Sequence, residues 1–229
     1  LTDSYHWPGS FGGHPSDVIT PVFAAAEHAR LGGRELITGI VLAYEVFLRI
    51  SDVFHNPGFD ANNLGCVGTA VAAGKLLGLS PNQLSHCISM AVVPNVVLRQ
   101  VRTGHLSMYK AVGAGHAGRA GVFAALLARA GMEGPHLPFE GKAGWCEHIA
   151  RERFSLDTSG GNGTPFKILD TRIKMRSSVG TTISSVLAAE KLAPFSNLEG
   201  VQKITVEVFT ERLRRMSARK LILPRPKVA

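Results

Sequence analysis

The sequence predicts a mainly α-helical protein: an all-α bundle over residues 1–160, followed by the beginning of an α+β unit over 161–229. Three observations carry that expectation. Hydrophobic residues make up 45% of the chain, with 25 Gly and only 7% aromatics, a composition suited to closely packed helices of Ala, Val, Leu and Ile rather than to an aromatic-rich sandwich. Five or more helical patterns follow one another through short connections, as in a bundle. After Phe154 the pattern changes, because the Gly-rich joint TSGGNGTP (158–165) leads into segments of strand-like character.

Residues 1–16, LTDSYHWPGSFGGHPS, hold two Pro and three Gly, so a loop is expected to feed a first helix starting near Ser16 or Thr20. Pro21 is tolerated in its first turn, and Gly32-Gly33 ends it. The next helix, RELITGIVLAYEVFLRISDVF, is apolar nearly all round and is expected to be central. HNPGFDANN (55–63) breaks the chain before LGCVGTAVAAGKLLGL, a helix faced with Gly and Ala. Ser80-Pro81 with Gln83 reads as a capped start, and that helix should run to about Val93.

The stretch from Thr103 to Pro135 reads as one long helix capped by Ser107 and stopped at Gly131 or Gly134. Positions 111, 114, 118, 121, 125 and 128 are all Ala or Gly, so one face is smooth enough for a neighbouring backbone to come close. A shorter helix is expected over FEGKAGWCEHIARERF. Beyond the joint, FKILDTRIKMRSS has strand-like character, VGTTISSVLAAEKL reads as a helix, and Val201, Ile204, Val206 and Val208 alternate as in a half-buried strand, giving a βαβ-like opening.

Composition narrows the function. Three cysteines, Cys66, Cys87 and Cys146, are far apart and form no C-x-x-C pair, so neither a disulfide framework nor a zinc site is indicated and a reducing cytoplasm fits. Cys66 and Cys146 read as small core residues. No stretch approaches 18 uninterrupted apolar residues, and no membrane span or signal peptide is expected. The chain begins without Met and stops in mid-pattern at ILPRPKVA, which suggests a piece of something longer. A net charge of +8 can gather a polyanion; its densest stretch, ERLRRMSARKLILPRPK, lacks aromatic interleaving and any nucleic-acid motif, so a nucleic-acid partner is not expected.

Lys110 sits in the first turn if Ser107 is the cap, where free N–H groups and the helix dipole make a cation unwelcome. Such a lysine beside an anion-binding helix start suits a carboxylate-bearing ligand. On spacing alone, a solvated lysine at a frayed helix end is the commoner case. His116 and Arg119 could face the same cleft or form an ordinary polar stripe. His14-Pro15-Ser16-Asp17 places an imidazole just before a helix start, where the neutral form is favoured. Gly113, Gly115, Gly118 and Gly121 lie within a helix and read as packing glycines, not a phosphate loop. His28, His55, His86, His105, His136 and His148 form no i, i+4 ligand pair with a carboxylate, so no metal is expected.

Taken in order, GGHPSD with PVFAAAE, GFD with GTAVAAGKLLGLS, HLSMYKAVGAGHAGRAGVFAALLARAGMEGP, and FEGKAGW form a series that resembles the MmgE/PrpD family of 2-methylcitrate dehydratases, cis-aconitate decarboxylases and iminodisuccinate epimerases. The resemblance covers essentially all 229 residues. It implies a cytoplasmic homodimer, an all-α domain with an α+β lid domain, no metal or organic cofactor, and an active site between the domains.

By motif, the resemblance makes His14 the general acid/base, Lys110 a contact polarising a substrate carboxylate, and Lys174 of RIKMRSS a second cation from the lid. Asp3 and Ser4 resemble the end of an acidic D-x-x-D-T/S stretch; Asp3 joins the catalytic candidates. Ser4, Ser16, Asp60 and Arg102 are the substrate-binding candidates. Where the family pattern has His after G-[WF]-D, this chain has Gly58-Phe59-Asp60-Ala61, leaving Asp60 or Asn62 as the available substitute. The expectation is a dehydratase acting on a small polycarboxylate such as 2-methylcitrate. A decarboxylase, an epimerase, or an inactive relative serving as a helical interaction domain are the alternatives.

Overall fold

The computed structural model describes residues 3–7, 9–156, 159–195 and 200–206. The protein is mainly α-helical and divides into two compact units, Leu1–Ser177 and Ser178–Ala229; the boundary expected at 160/161 falls inside the first. That unit holds β1 (Asp3–Ser4), α1 (Ile19–His28), α2 (Gly33–Val53), α3 (Asn62–Leu76), α4 (Pro81–Val92), α5 (Gly113–Arg129) and β2 (Arg172–Ile173). The second contains α6 (Ile183–Leu192), none of whose described residues is buried.

The helix at the centre is α3, not α2. Of its 15 residues, 14 are buried, whereas α2 buries only a stripe that includes Ala43, Tyr44, Glu45, Phe47, Leu48 and Ile50. Size explains the difference, because the Gly and Ala faces of α3 let neighbouring backbones approach. A Cβ at Gly68 would lie 2.6 Å from the carbonyl oxygen of Ala43 on α2, and one at Gly121 of α5 would lie 2.7 Å from Cys66 O and 2.9 Å from Ala70 N on α3. The smooth face expected on α5 is therefore used, with Gly118 against Pro21 of α1 as well.

Helix ends follow local chemistry. Ser80 and Gln83 form the full capping box at the start of α4. Gly78 and Gly131 adopt positive φ just past α3 and α5, and Leu79 N–H and Met132 N–H reach back to Gly74 O and Leu127 O, which closes both helices with Schellman turns. α1 ends the same way but earlier than Gly32-Gly33, with Arg30 at φ 54° and Leu31 N–H on Ala26 O.

Further expectations are corrected. The stretch from Thr103 to Pro135 is not one helix: Met108–Ala111 is a separate 3-10 turn and α5 starts at Gly113, where Gly113 and Gly115 weaken helix continuation. Ser107 makes no cap bond to that turn; its hydroxyl donates to Val101 O at 3.4 Å.

Nor is FEGKAGWCEHIARERF a helix. Its chain doubles back through Trp145 N–H to Pro138 O and Cys146 N–H to Phe139 O, Trp145 stacks on Phe54 at 4.9 Å, and only a π turn, Cys146–Ala150, follows. In FKILDTRIKMRSS, Lys167–Asp170 is a 3-10 turn and the strand is only β2, which pairs antiparallel with β1 in register Asp3 with Ile173 and Ser4 with Arg172. Residues 201–206 have no strand assigned, since alternation needs a partner edge to become a ladder. Val208 and the basic stretch after it lie outside the described residues.

The interhelical contact at position 121 gives a test. Gly121→Ala should lower stability by roughly 2–4 kcal/mol, since its Cβ meets backbone that cannot step aside. Gly115→Ala, with nothing within 4 Å of its Cβ, should gain up to about 1 kcal/mol from helix propensity. Equal midpoints in urea for the two variants would refute this account of the packing.

Candidate functional site

Asp3 organises this end of the bundle. The residue is 5% exposed, and its carboxylate accepts the backbone N–H of Ser16 at 3.1 Å and the hydroxyl of Tyr44 at 2.9 Å. Tyr44, on α2, is held well above the ordinary phenol range by burial and then by the Asp3 charge. The main chain of Asp3 does a second job: its carbonyl lies 2.9 Å from Nδ1 of His14. A carbonyl can only accept, so Nδ1 carries the proton and Nε2 is left with the basic lone pair.

His14 immediately precedes the 3-10 turn Pro15–Val18, making no side-chain bond to it, and is half-buried. Burial holds its pKa below the ordinary imidazole value, the charges of Lys174 and Lys110 lower it further, and the bond to Asp3 opposes them. Neutral His14 is therefore the resting form at neutral pH.

The two lysines arrive by different routes. Lys110 sits in the 3-10 turn before α5. Lys174 is the residue after β2, so the β1–β2 pairing carries it to Asp3. Glu45 secures that return segment by accepting the N–H groups of Gly160 at 2.7 Å and Lys167 at 2.6 Å, with Arg49 Nε at 2.9 Å. Asp3, His14, Lys110 and Lys174 thus share one electrostatic neighbourhood.

The remaining candidates divide. Ser4 pairs with Arg172 through the short ladder. Ser16 gives its N–H to Asp3, while its hydroxyl is buried with no partner among the described residues. Asp60 is already engaged: Oδ1 accepts Arg102 Nη2 at 2.9 Å and Asn62 N–H at 3.2 Å, and Oδ2 lies 2.5 Å from Arg102 Nε. Arg102 and Asp60 therefore act on each other, and Ala61 brings no titratable group.

Asp17 and Tyr44 are the residues that sequence reading overlooks. Asp17 lines a cavity of about 710 Å³ with Ser16, Thr20, Pro21, Gly118, Arg119 and others between the Pro15–Val18 turn, α1 and α5. Burial pushes its carboxyl up to about 6, with Asp3 adding to the rise and Lys110 and Arg102 opposing it. Its only sequence signal is its place in HPSD, where an acid reads as a helix-start residue. Tyr44 reads as core because its neighbours on α2 are apolar.

A second hollow of about 450 Å³, lined by Tyr5, Asp52, His55 and Lys167 among others, is a structural joint. Lys167 Nζ reaches Asp52 at 2.8 Å and Asp170 at 3.3 Å, and Tyr5 donates to Asp52 at 2.7 Å. Cys66 and Cys87 are buried, which pushes both thiols up to about 12; Cys146 is buried and raised as well. Among the described residues no group of three or more His, Cys, Asp or Glu could hold a metal ion, and no helix is long and apolar enough to cross a membrane.

Residues 2–156 match the MmgE/PrpD N-terminal domain. The chain is 27% identical over 237 aligned positions to the cis-aconitate decarboxylase of Aspergillus terreus (91% of this chain, 47% of the relative). It is 25% identical over 241 positions to the cis-aconitate decarboxylase-like protein oryM of Aspergillus oryzae (90% and 48%). Against the 2-methylcitrate dehydratase of Escherichia coli O157:H7 it is 27% identical over 141 positions (56% and 29%). The chain spans about half the length of the two fungal relatives, or less in the bacterial case.

The raised carboxyl of Asp17 has a stability consequence. A group whose folded pKa, about 6, exceeds its unfolded value of about 3.9 contributes stability that is full below the unfolded value and lost as pH rises through the folded one. Asp17→Asn should therefore gain on the wild type between about pH 4 and pH 8, by about 2–4 °C in Tm after allowance for solvent screening. Thermal melts at the two pH values check this; a difference that stays constant or shrinks rules it out.

Proposed function

The chain belongs to the MmgE/PrpD family, and from that premise we propose that it forms the helical part of an acid–base lyase, a dehydratase acting on a small polycarboxylate such as 2-methylcitrate. The observation that carries this reading is the fixed tautomer of His14, whose Nδ1 is tied to Asp3 O while Lys110 and Lys174 lie within electrostatic reach.

Abstraction of a proton next to a carboxylate needs a neutral base and positive charge where the enediolate-like charge develops. His14 Nε2 is the base. Lys110 and Lys174 hold the carboxylate and take up that charge, and they also keep the imidazole neutral before reaction, since they disfavour imidazolium. Loss of hydroxide from the neighbouring carbon then gives the alkene. Asp3 acts through His14 as a positioning residue. The +8 charge raises the local concentration of a polyanion. A homodimer is part of the same proposal.

A second reading, decarboxylation, is favoured by the two fungal relatives, whose alignments span nine-tenths of this chain and whose names refer to cis-aconitate decarboxylase. The same lysines would then hold the carboxylates that stay while a third leaves as carbon dioxide.

A proton NMR time course of the full-length protein with 2-methylcitrate, citrate and cis-aconitate in separate tubes tests both. Conversion is expected, reduced about 10²–10⁴-fold in His14→Ala and by about 10²-fold or more in Lys110→Ala. Product identity separates dehydration from decarboxylation. Conversion untouched by His14→Ala would sink the assignment of the base.

A further inference from the structure

Expulsion of hydroxide needs a proton as well as a base, and the residues around His14 differ in their freedom to give one. Three carboxylates lie at this end of the bundle. Asp3 accepts from Ser16 and Tyr44, and Asp60 faces Arg102 and the N–H of Asn62. The carboxyl of Asp17 alone of the three has no hydrogen-bond partner among the described residues, and Asp17 lines the open cavity of about 710 Å³. It also lies one residue beyond Ser16, in the turn that follows His14.

The charges acting on Asp17 come from several elements, Asp3 from β1 and Arg102 and Lys110 from the two turns before α5; Arg119 of α5 lines the same cavity, and the carbonyl of His14 accepts the Asp17 N–H at 3.1 Å. Arg119 is exposed and makes no ion pair among the described residues. Its guanidinium suits a carboxylate. The buried Ser16 hydroxyl, without a partner, is a third polar group on the cavity wall, and Pro21, Ala24, Gly118 and Val122 provide an apolar side.

We infer that Asp17 is a second catalytic group of this site, the acid that protonates the departing hydroxyl of a hydroxy-polycarboxylate whose remote carboxylate rests on Arg119. The inference rests on the dehydratase reading above and deepens it. A carboxyl with a pKa of about 6 is protonated in about one molecule in ten at pH 7, enough to serve while still acidic enough to give its proton up.

The step balances. His14 Nε2 takes the proton from the carbon beside the carboxylate, and the electron pair of that C–H bond becomes the new C=C. The C–O bond breaks with its pair on oxygen, and the proton from Asp17 completes a water molecule. Imidazolium and carboxylate then return to their starting forms by passing one proton from His14 to Asp17 through solvent.

The test uses the full-length protein with 2-methylcitrate and citrate, followed by proton NMR between about pH 5 and 9, comparing wild type with Asp17→Asn, Asp17→Glu and His14→Ala. Asp17→Asn should lower kcat by about 10²–10⁴-fold with little change in KM, and should abolish the fall in kcat on the alkaline side; Asp17→Glu should keep that fall. Because Asp17→Asn is expected to be at least as stable as wild type at neutral pH, lost activity will not reflect unfolding, and a melt of the same sample verifies this.

If His14→Ala is inactive while Asp17→Asn keeps the wild-type kcat or its alkaline limb, this inference falls and the dehydratase reading stands. If the wild type converts neither acid, or only removes carbon dioxide from cis-aconitate, the dehydratase reading falls and takes the inference with it, since no hydroxyl leaves.

Discussion

α5 touches the backbone of α3 because position 121 has no side chain, and much of the first unit depends on that approach. A helix can be buried on every side only if its neighbours come near enough to exclude water, and α3 allows this with Gly65, Gly68, Ala70, Ala72, Ala73 and Gly74 along its length. Burying 14 of 15 residues of one helix fixes its ends as firmly as its middle. The start of α3 is preceded by Asp60, and that of α5 by Lys110. α1, packed through Pro21 on Gly118, is preceded by His14. Close packing of small residues therefore brings three helix starts together, and the chemistry is built on the turns that lead into them.

A second device works at that junction. Asp3 is a buried carboxylate satisfied by one backbone N–H and one phenol, which is how a lone buried anion avoids a desolvation cost of several kcal/mol. The same residue's carbonyl selects the tautomer of His14. Its strand also pairs with β2 and so delivers Lys174. One residue thus couples the start of the chain, the imidazole and the returning segment. Glu45 keeps that segment in place, and for Glu45 the N–H groups of Gly160 and Lys167 together with Arg49 outweigh burial and hold its pKa low.

Local signals were legible where a single residue decides the geometry. The capping box at Ser80 and Gln83, the stop at Gly131 and the smooth face of α5 need no more than neighbours in sequence. His14 stood out because it precedes a helix start, where charge and hydrogen-bonding demand are unusual, whereas Lys110 stood out through a Ser107 cap that the structure does not form. Failures came where a pattern had competing outcomes. FEGKAGWCEHIARERF has helical spacing, yet a Cβ at Gly144 would lie 2.6 Å from Phe139 O, and stacking Trp145 on Phe54 required the chain to fold back. Strand-like alternation at 201–206 could not reveal whether a partner edge exists.

The helical class, the capped start of α4, the stop at Gly131 and the identity of the charged residues that gather at one end were legible in the sequence, because propensity, capping and side-chain chemistry are local properties. Tertiary structure alone decided that α3 and not α2 is central, that Asp60 is spent on Arg102, that Asp3 fixes the imidazole tautomer, and that Asp17 faces a cavity with a raised pKa. Each of these depends on which groups exclude water from one another across dozens of residues. Burial and pairing of that kind exist only once the chain has folded.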